Sequence, residues 1–309
     1  WSIALLQLRS GDFENGWKGY EWRWQLKDEL ATARFFSQPR WDGSDISGKT
    51  VLLHSEQGFG DTIQFARYAP LVADLGATVI IECQRELVSL LRSVKGVHTV
   101  IARDDEAPPF DIHCPLLSLP SVFGTKLETI PGKVPYISAD QAAIQLWRDK
   151  IISAPAAPRI GLAWSGNPKK PTDRFRSCPL DAFIPLSGVG DITFFSLQKG
   201  AAARQAGTLS EDLKILDYTD KINDFSDTAA LVQNLDLVIT VDTAVAHLAG
   251  ALGKPVWILL PFVSDWRWMR DREDSPWYPT MRLFRQRSSG DWESVMSRVS
   301  ECLREFVSP

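Results

Sequence analysis

The chain has 309 residues, 44% of them hydrophobic, and a formal net charge of −4 at neutral pH. This length predicts two domains, because single hydrophobic cores stop growing at about 250–300 residues. The acidic balance argues against nucleic acid or an anionic membrane as a partner, since either favours a basic face. The sequence has no apolar run long enough to span a membrane and no signal-peptide pattern, which predicts a cytoplasmic protein.

Patterns typical of metal sites and of disulfide frameworks are missing from the sequence. The four cysteines are far apart and form no C-x-x-C pair, so neither a zinc site nor a disulfide is indicated. No D-x-D carboxylate pair follows a predicted strand, which argues against a bound divalent metal. We therefore expect buried thiols and no metal.

Residues 1–30 are predicted to be a short helical segment. An aromatic-rich pattern over residues 1–26 is broken by a turn at Gly11, which indicates two short helices. Gly11 with Trp17 and Tyr20 resembles the second half of a tetratricopeptide repeat. One repeat cannot bury its own apolar face, so further repeats would be expected upstream. The alternative is a simple helical cap on the following domain.

Residues 31–152 are predicted to form a first βα domain. Apolar runs indicate strands at 49–54, 78–83, 97–101 and within 111–120. The first strand is followed by Gly58, Gly60 and Asp61 in a loop that leads into a helix. The glycines permit tight backbone geometry and close approach of a ligand. A G-x-G pair alone is weak, and Asp61 has the alternative role of a helix N-cap.

Residues 159–289 are predicted to form a second βα domain after a Pro/Ala-rich linker at 153–158. A strand at 159–164 is followed by a polar loop that contains Asn167, and Arg176 precedes a helix that begins near Pro179. The next strand, at 193–198, ends at Gln198 and Lys199. Loops at the carboxyl ends of parallel strands are where ligands bind in open α/β sheets. An amphipathic helix is predicted at 291–307.

The stretch 235–260 is predicted to be a strand, a helix and a second strand. Asp242 and Thr243 lie where the first strand stops, and Ala244 begins the helix. A helix N-terminus at such a junction offers N–H groups and a partial positive charge to a phosphate. Thr243 can add a hydroxyl, and His247 lies on the same helical face. The alternative is that Asp242 and Thr243 only cap the helix and that His247 is a core residue.

Two segments resemble those of the heptosyltransferase-like glycosyltransferases of family 9. They are DTAVAHLAGALGKPVW at 242–257 and EQGFGDTIQFARYAP at 56–70. The resemblance implies an α/β protein of the GT-B fold, with two Rossmann-like domains facing across a cleft. It also implies that residues 290–309 form a helix that crosses back to the first domain.

The resemblance also implies roles for individual residues. Asp61 occupies the position of the catalytic base. The loop that carries Gly58 and Gly60 and the separate loop that carries Asn167 are both predicted to line the cleft. The donor diphosphate would be bound by Asp242, Thr243, Ala244 and His247. Arg176 takes the place of a family lysine that contacts the donor phosphates. Gln198 and Lys199 replace an acid near the ribose or base of the nucleotide, which leaves the donor unidentified.

These features predict an inverting, metal-independent glycosyltransferase. A nucleotide-sugar would be its substrate, so no cofactor is expected, and a protein or glycan acceptor would be recruited by upstream tetratricopeptide helices. One alternative is a non-catalytic GT-B-like module of a repeat scaffold that binds nucleotide or protein. Another is a nucleotide-sugar epimerase. Asp61 favours the transferase, because a binding module needs no acid facing the cleft.

Overall fold

A computed structural model describes residues 1–26, 34–152, 154, 158–169, 173–208 and 213–308. Its contacts divide the chain into two compact units. Unit 1 comprises Trp1–Ser138 and Asp265–Asp271, and unit 2 comprises Ala139–Ser264 and Arg272–Pro309. Each unit contains a parallel sheet, which confirms the predicted α/β class.

The sheet of unit 1 has four strands in the order β3-β2-β1-β4, and all neighbouring pairs are parallel. The strands are β1 (Thr50–His54), β2 (Thr78–Cys83), β3 (Val97–Ala102) and β4 (Ile112–Pro115). β1 and β2 are almost wholly buried. Continuous runs of Val, Ile and Leu suit this position, because both faces of a parallel sheet are covered.

The helices of unit 1 are short. They are α1 (Ser2–Ser10), α2 (Phe13–Tyr20), α3 (Phe59–Phe65), α4 (Ala69–Asp74), α5 (Val88–Leu91) and α6 (Leu119–Val122). The two predicted N-terminal helices are therefore present, and Gly11 ends the first with a φ of 89°. This left-handed conformation favours glycine.

The N-terminal helices pack within unit 1. The Trp17 indole N–H donates to the carbonyl of Thr125 over 2.9 Å. The Trp17 ring also meets Trp266 edge-on, with ring centroids 5.3 Å apart. These contacts place residues 1–26 in the first unit, whereas the sequence predicted a separate helical segment. Descent from a tetratricopeptide repeat stays a prediction.

The sheet of unit 2 has six parallel strands in the order β10-β9-β8-β5-β6-β7. They are β5 (Arg159–Ala163), β6 (Thr193–Ser196), β7 (Ile215–Leu216), β8 (Leu237–Val241), β9 (Val256–Leu260) and β10 (Met281–Arg285). The sequence did not predict β7 or β10, which lie at the two edges of the sheet. β7 has only two residues, and arginines interrupt the apolar pattern of β10.

The helices of unit 2 complete its core. They are α7 (Gln141–Lys150), α8 (Asp173–Arg176), α9 (Phe225–Gln233), α10 (Ala244–Ala251) and α11 (Trp292–Val307). A 3₁₀ helix spans Leu180–Gly188 where an α-helix was predicted, and it contains Pro185. Proline lacks the N–H that an α-helix interior needs. The apolar face of α11 packs in one cluster with residues of this 3₁₀ helix and of the sheet.

The division into units differs from the predicted domain bounds at three further places. α7 lies in unit 2, where the Trp147 indole donates to Asp227 over 3.2 Å and Asn234 donates to the carbonyl of Ile144 over 3.0 Å. α11 also packs within unit 2, whereas the sequence predicted its return to the first domain. Residues 265–271 lie in unit 1. The predicted linker at 153–158 falls largely outside the described residues.

The cysteines and the helix lengths bear on two expectations. All four cysteines are free, three are buried and Cys302 is partly exposed, which largely confirms the expected buried thiols. No helix within the described residues combines the length and the apolar character needed to cross a bilayer.

Two histidines of unit 1 meet in a buried pair. His54 Nε2 lies 3.1 Å from His113 Nδ1, and the Phe36 ring packs against both. Burial, followed by the charges of His113 and Arg40, lowers the pKa of His54 well below its ordinary value. Burial and Arg40 also lower the pKa of His113. His113 is therefore part of the packing between β1 and β4.

The histidine pair makes unit 1 less stable in mild acid. Below about pH 6.5, the unfolded state binds protons that the folded state excludes, so the unfolding free energy falls as pH decreases. Each histidine contributes up to about 1.4 kcal/mol per pH unit in this window. Urea denaturation between pH 7.5 and 5.5 is expected to show this slope, and the slope is expected to be smaller in His54→Phe. An equal slope in His54→Phe would contradict the assignment.

Candidate functional site

The junction of β8 and α10 lies at the carboxyl edge of the unit 2 sheet. Thr243 is the N-cap residue, but its side chain makes no capping hydrogen bond, and its hydroxyl lies 3.1 Å from that of Thr240. Asp242, Thr243 and Ala244 are half-buried. The first-turn N–H groups of a helix have no intrahelical acceptors and attract anions. The side chain of Thr243 therefore does not cap the helix, and binding of an anion there stays a prediction.

His247 lies one turn into α10 and is buried. Its Nδ1 is 3.0 Å from the Tyr278 hydroxyl. The helix also packs tightly against this tyrosine, since a Cβ on Gly250 would lie 2.6 Å from the Tyr278 ring. The histidine is thus fixed by a hydrogen bond and by close packing. This packing is what the core interpretation of His247 predicts, and contact with a donor diphosphate stays a prediction.

Gln198 joins the ends of β5 and β6. Its Oε1 accepts from the backbone N–H groups of Trp164 and Ser165 over 3.0 and 2.8 Å. Its Nε2 donates to the carbonyls of Ser165 and Lys199. The side chain is buried and holds the loop that follows β5. Gln198 therefore shapes the edge of the sheet through backbone contacts.

Lys199 and Asn167 make local contacts on either side of this loop. The Lys199 ammonium donates to the carbonyls of Thr219 and Ile222 over 2.7 and 2.9 Å. The exposed Asn167 side chain accepts the N–H of Lys169 over 3.0 Å. Both residues stabilise loop conformations at the carboxyl edge of the sheet.

Arg176 ends the short helix α8 beside the same loop. Its Nε donates to Asp173 Oδ1 over 2.9 Å, and its side chain is 25% exposed. The other Asp173 oxygen accepts from Ser177, whose Oγ accepts the N–H of Gly166. A Cβ on Gly166 would lie 2.2 Å from Asp173, so only glycine fits this approach. The network fixes a cation next to the loop after β5.

Asp61 lies in the first turn of α3 in unit 1. Its Oδ2 accepts the N–H of Gly58 over 2.9 Å, which caps the helix. Gly58 has a φ of −77°, so its role is not the tight backbone that the sequence predicted. A Cβ there would lie 3.2 Å from Asp61 Oδ2, so glycine leaves room for the carboxylate. Gly60 lies within the first turn.

Arg267 pairs with the second oxygen of Asp61. Its Nη2 lies 2.6 Å from Asp61 Oδ1, and its Nη1 lies 2.9 Å from Asp265 Oδ1. The Nε donates to Gln64 Oε1 over 2.8 Å. Burial alone would lower the pKa of Arg267, but the carboxylates of Asp265 and Asp61 outweigh it and raise the pKa. A charged guanidinium therefore lies against Asp61.

The strand order of the unit 2 sheet brings the loops that carry the predicted donor residues next to one another. β5 lies between β8 and β6 in the sheet. The loops that carry Asn167, Gln198 and Thr243 therefore follow adjacent strands and share one edge. Asp61 belongs to unit 1. The described residues hold no group of three or more His, Cys, Asp or Glu side chains placed for a metal ion.

Residues 193–259, which include β6, β8, α10 and most of β9, match the family model of glycosyltransferase family 9 (heptosyltransferase). The likeness to family 9 therefore concerns this range of the second unit. The matched range covers the β8–α10 junction and Gln198, whereas Asp61 and Arg176 lie outside it.

Solved structures of this type share the fold of the domain. One is a family 9 glycosyltransferase from Veillonella parvula, with a TM-score of 0.65, 12% identity, and coverage of 85% of this chain and 99% of that one. Another is the ADP-heptose lipopolysaccharide heptosyltransferase II of E. coli, with a TM-score of 0.60, 12% identity, and coverage of 84% and 98%. At this identity the likeness concerns the fold.

A sequence relative is Protein FlbA of Caulobacter vibrioides. The two are 31% identical over 330 aligned positions, which cover 98% of this chain and 54% of FlbA. The chain thus spans about half the length of this relative.

Sequence reasoning missed the partner of Asp61. Arg267 is 206 positions from Asp61, and it reaches unit 1 because the chain returns there after β9. No local pattern marks such a return, so the sequence carried no signal for the ion pair.

Proposed function

We propose that the chain is an inverting glycosyltransferase that transfers a sugar from a nucleotide-sugar to a hydroxyl acceptor. The main support is the start of α10 at the carboxyl edge of the sheet, where the side chain of the N-cap residue Thr243 makes no capping hydrogen bond. This start lies within the family-matched range. A diphosphate is the ligand that such a helix start favours.

Asp61 is the proposed general base. It takes the proton of the acceptor hydroxyl while the acceptor oxygen forms a bond to the anomeric carbon of the sugar. The bond from that carbon to the diphosphate oxygen breaks, and its electron pair leaves with the nucleoside diphosphate. Attack from the face opposite the leaving group inverts the configuration. A carboxylate has about four lone-pair directions, so the two contacts of Asp61 leave acceptor sites for this proton.

The charge of the departing diphosphate is met by side chains and by helix N–H groups. Arg176 supplies a cation, and the start of α10 supplies donors near Thr243. We therefore propose that the reaction needs no divalent metal and no cofactor. Turnover is expected to be the same in EDTA as in magnesium. Loss of activity in EDTA that magnesium or manganese restores would contradict this proposal.

Thr243→Val is expected to weaken donor binding. The loss of a hydroxyl donor to a charged phosphate costs about 1.5–3 kcal/mol, which corresponds to a 10- to 150-fold rise in Kd. Valine keeps the shape and the extended backbone of the N-cap. Calorimetric titration with nucleoside diphosphate measures the change. The control is Thr78→Val, at the amino end of β2 in unit 1. Equal affinities for wild type and Thr243→Val would remove this residue from the donor site.

The donor and the acceptor are proposed by class only. Thermal shift against UDP, GDP, ADP, CMP and their sugars identifies the donor, because a ligand at 100 times its Kd stabilises the fold by about 2.7 kcal/mol. ADP-heptose is the first sugar to test, since a similar structure, the E. coli heptosyltransferase TibC, was solved with ADP-D-β-D-heptose, with a TM-score of 0.54 and 12% identity. Nucleotide release that depends on an acceptor then establishes transfer.

A second candidate is a non-catalytic module that binds nucleotide or protein. The observation that favours it is the engagement of both Asp61 oxygens, one in a helix cap and one in an ion pair. Stabilisation by nucleotide without turnover for any acceptor would support the module. Acceptor-dependent release that is lost in Asp61→Asn would support the transferase. The transferase proposal includes a protein or glycan acceptor that upstream tetratricopeptide helices recruit in the cytoplasm.

A further inference from the structure

The segment 265–271 returns to unit 1 from the end of β9. Its 3₁₀ helix, Trp266–Trp268, is capped by Asp265, which accepts the N–H of Arg267 over 3.0 Å. Trp266 and Trp268 are buried. The segment is therefore anchored by packing on both sides of Arg267.

Arg267 is held in one orientation by several independent contacts. Its Nη1 donates to Asp265, its Nε donates to Gln64, and its guanidinium lies 4.3 Å from the centre of the Trp266 ring. Gln64 is itself fully buried in α3. Because the guanidinium is planar, the contacts of Nε and Nη1 also fix the direction of Nη2. Nη2 therefore donates to Asp61 with little freedom to rotate.

The carboxylate of Asp61 is consequently clamped from two sides. The Gly58 N–H binds Oδ2, and Arg267 binds Oδ1. The Asp61 side chain is still 18% exposed. Two carboxylates, those of Asp61 and Asp265, share one guanidinium, so the cluster keeps one net negative charge. The Asp61 carboxylate can therefore still accept a proton, and its contact with Arg267 fixes the orientation of the carboxylate plane.

We propose that Arg267 is the positioning residue for the base Asp61, an inference that rests on the proposed transferase function. It acts through Asp61 by fixing the orientation of the carboxylate toward the acceptor hydroxyl. A general base must lie within hydrogen-bond reach of the proton that it removes, and a displacement of about 1 Å can cost about 10²-fold in rate.

The test is a double-mutant cycle on turnover with the full chain. The probe is the nucleotide-sugar that gives the largest thermal shift in the screen, with nucleotide release as the readout. Arg267→Gln is expected to lower kcat by about 10- to 100-fold with the donor KM within about twofold of wild type. In the Asp61→Asn background, the same substitution is expected to lower kcat by less than about threefold. Arg267→Lys, which keeps the charge, is expected to recover part of the loss.

The control for lost stability is Arg67→Gln. Arg67 is also buried in unit 1 and donates to the Gln64 carbonyl and the Tyr136 hydroxyl over 2.8 and 3.2 Å. At a temperature where both variants are folded, Arg67→Gln is expected to keep the wild-type kcat.

The possible outcomes separate the two proposals. If Arg267→Gln keeps the wild-type kcat, the positioning role is overturned while the transferase function stands. The same holds if Arg267→Gln lowers kcat equally in the wild-type and the Asp61→Asn backgrounds. A wild-type chain that releases no nucleotide with any acceptor overturns the transferase function, and the role of Arg267 falls with it.

Discussion

Asp61→Asn is expected to lower kcat by about 10²–10⁴ while donor binding stays within about twofold of wild type. The rate loss is the usual contribution of a general base. Donor affinity is retained because the residue belongs to unit 1, whereas the helix start at Thr243 and the Arg176 cation belong to unit 2. Steady-state kinetics gives kcat, and calorimetric titration with nucleoside diphosphate gives the affinity.

Asparagine separates the chemical role of Asp61 from its structural role. Its side-chain oxygen still accepts the Gly58 N–H, so the cap of α3 is retained. The matched control is Asp12→Asn, because Asp12 also caps a unit 1 helix by accepting a backbone N–H, that of Asn15. We expect this control to keep its kcat. If Asp61→Asn also keeps the wild-type kcat, Asp61 is not the base and has only structural contacts. That result would favour the non-catalytic binding module.

The strands were the most predictable part of the fold. Buried parallel strands such as β1 and β8 are continuous apolar runs, and that pattern is local. β10 was missed because Arg282 and Arg285 interrupt its apolar pattern. Such polar residues are tolerated there because β10 is an edge strand, with a neighbour on one side only. The placement of α7 was also missed, since its polar sequence carries little sign of the single face, centred on Trp147, that packs in unit 2.

The candidate site was predictable where it depends on chain order. A strand that ends just before Asp242 and a helix that begins at Ala244 form one local unit, and its position at a sheet edge follows from the α/β architecture. The function of Gln198 depends instead on how the loop after β5 folds over it. Its amide was predicted to contact the nucleotide, but four backbone contacts involve it in the structure. Hydrogen-bond partners that only the tertiary structure brings together produce no periodic pattern in the sequence, so they could not be predicted from it.

A second large effect is expected at the buried ion pair of unit 1. Arg23 is fully buried and makes two bonds to Glu56, Nε to Oε2 over 3.0 Å and Nη2 to Oε1 over 2.9 Å. It also donates to Glu21 and Ser118 over 2.7 and 2.6 Å. Glu56 further accepts the N–H of Leu117. The pair links the N-terminal segment to the loop after β1, close in sequence to Asp61.

Arg23→Met is expected to destabilise unit 1 by about 3–5 kcal/mol, because it leaves the Glu56 carboxylate buried without its cation. Burial already raises the pKa of Glu56, and Arg23 opposes this rise. Without Arg23 the pKa rises further, so the carboxyl binds a proton when folded at a pH where the unfolded chain does not. The variant is therefore expected to lose less stability at pH 5 than at pH 7. Urea denaturation at the two pH values measures the difference.

The double variant Arg23→Met/Glu56→Met tests whether an uncompensated charge is the cause. Removal of both charged partners avoids the unpaired carboxylate, so it is expected to recover much of the stability that Arg23→Met loses. The surface control is Lys18→Met, whose partner Glu14 is 66% exposed, and it is expected to change stability by less than about 0.5 kcal/mol. If the double variant is as unstable as the sum of its single variants, the loss comes from packing around the N-terminal segment and not from the buried charge.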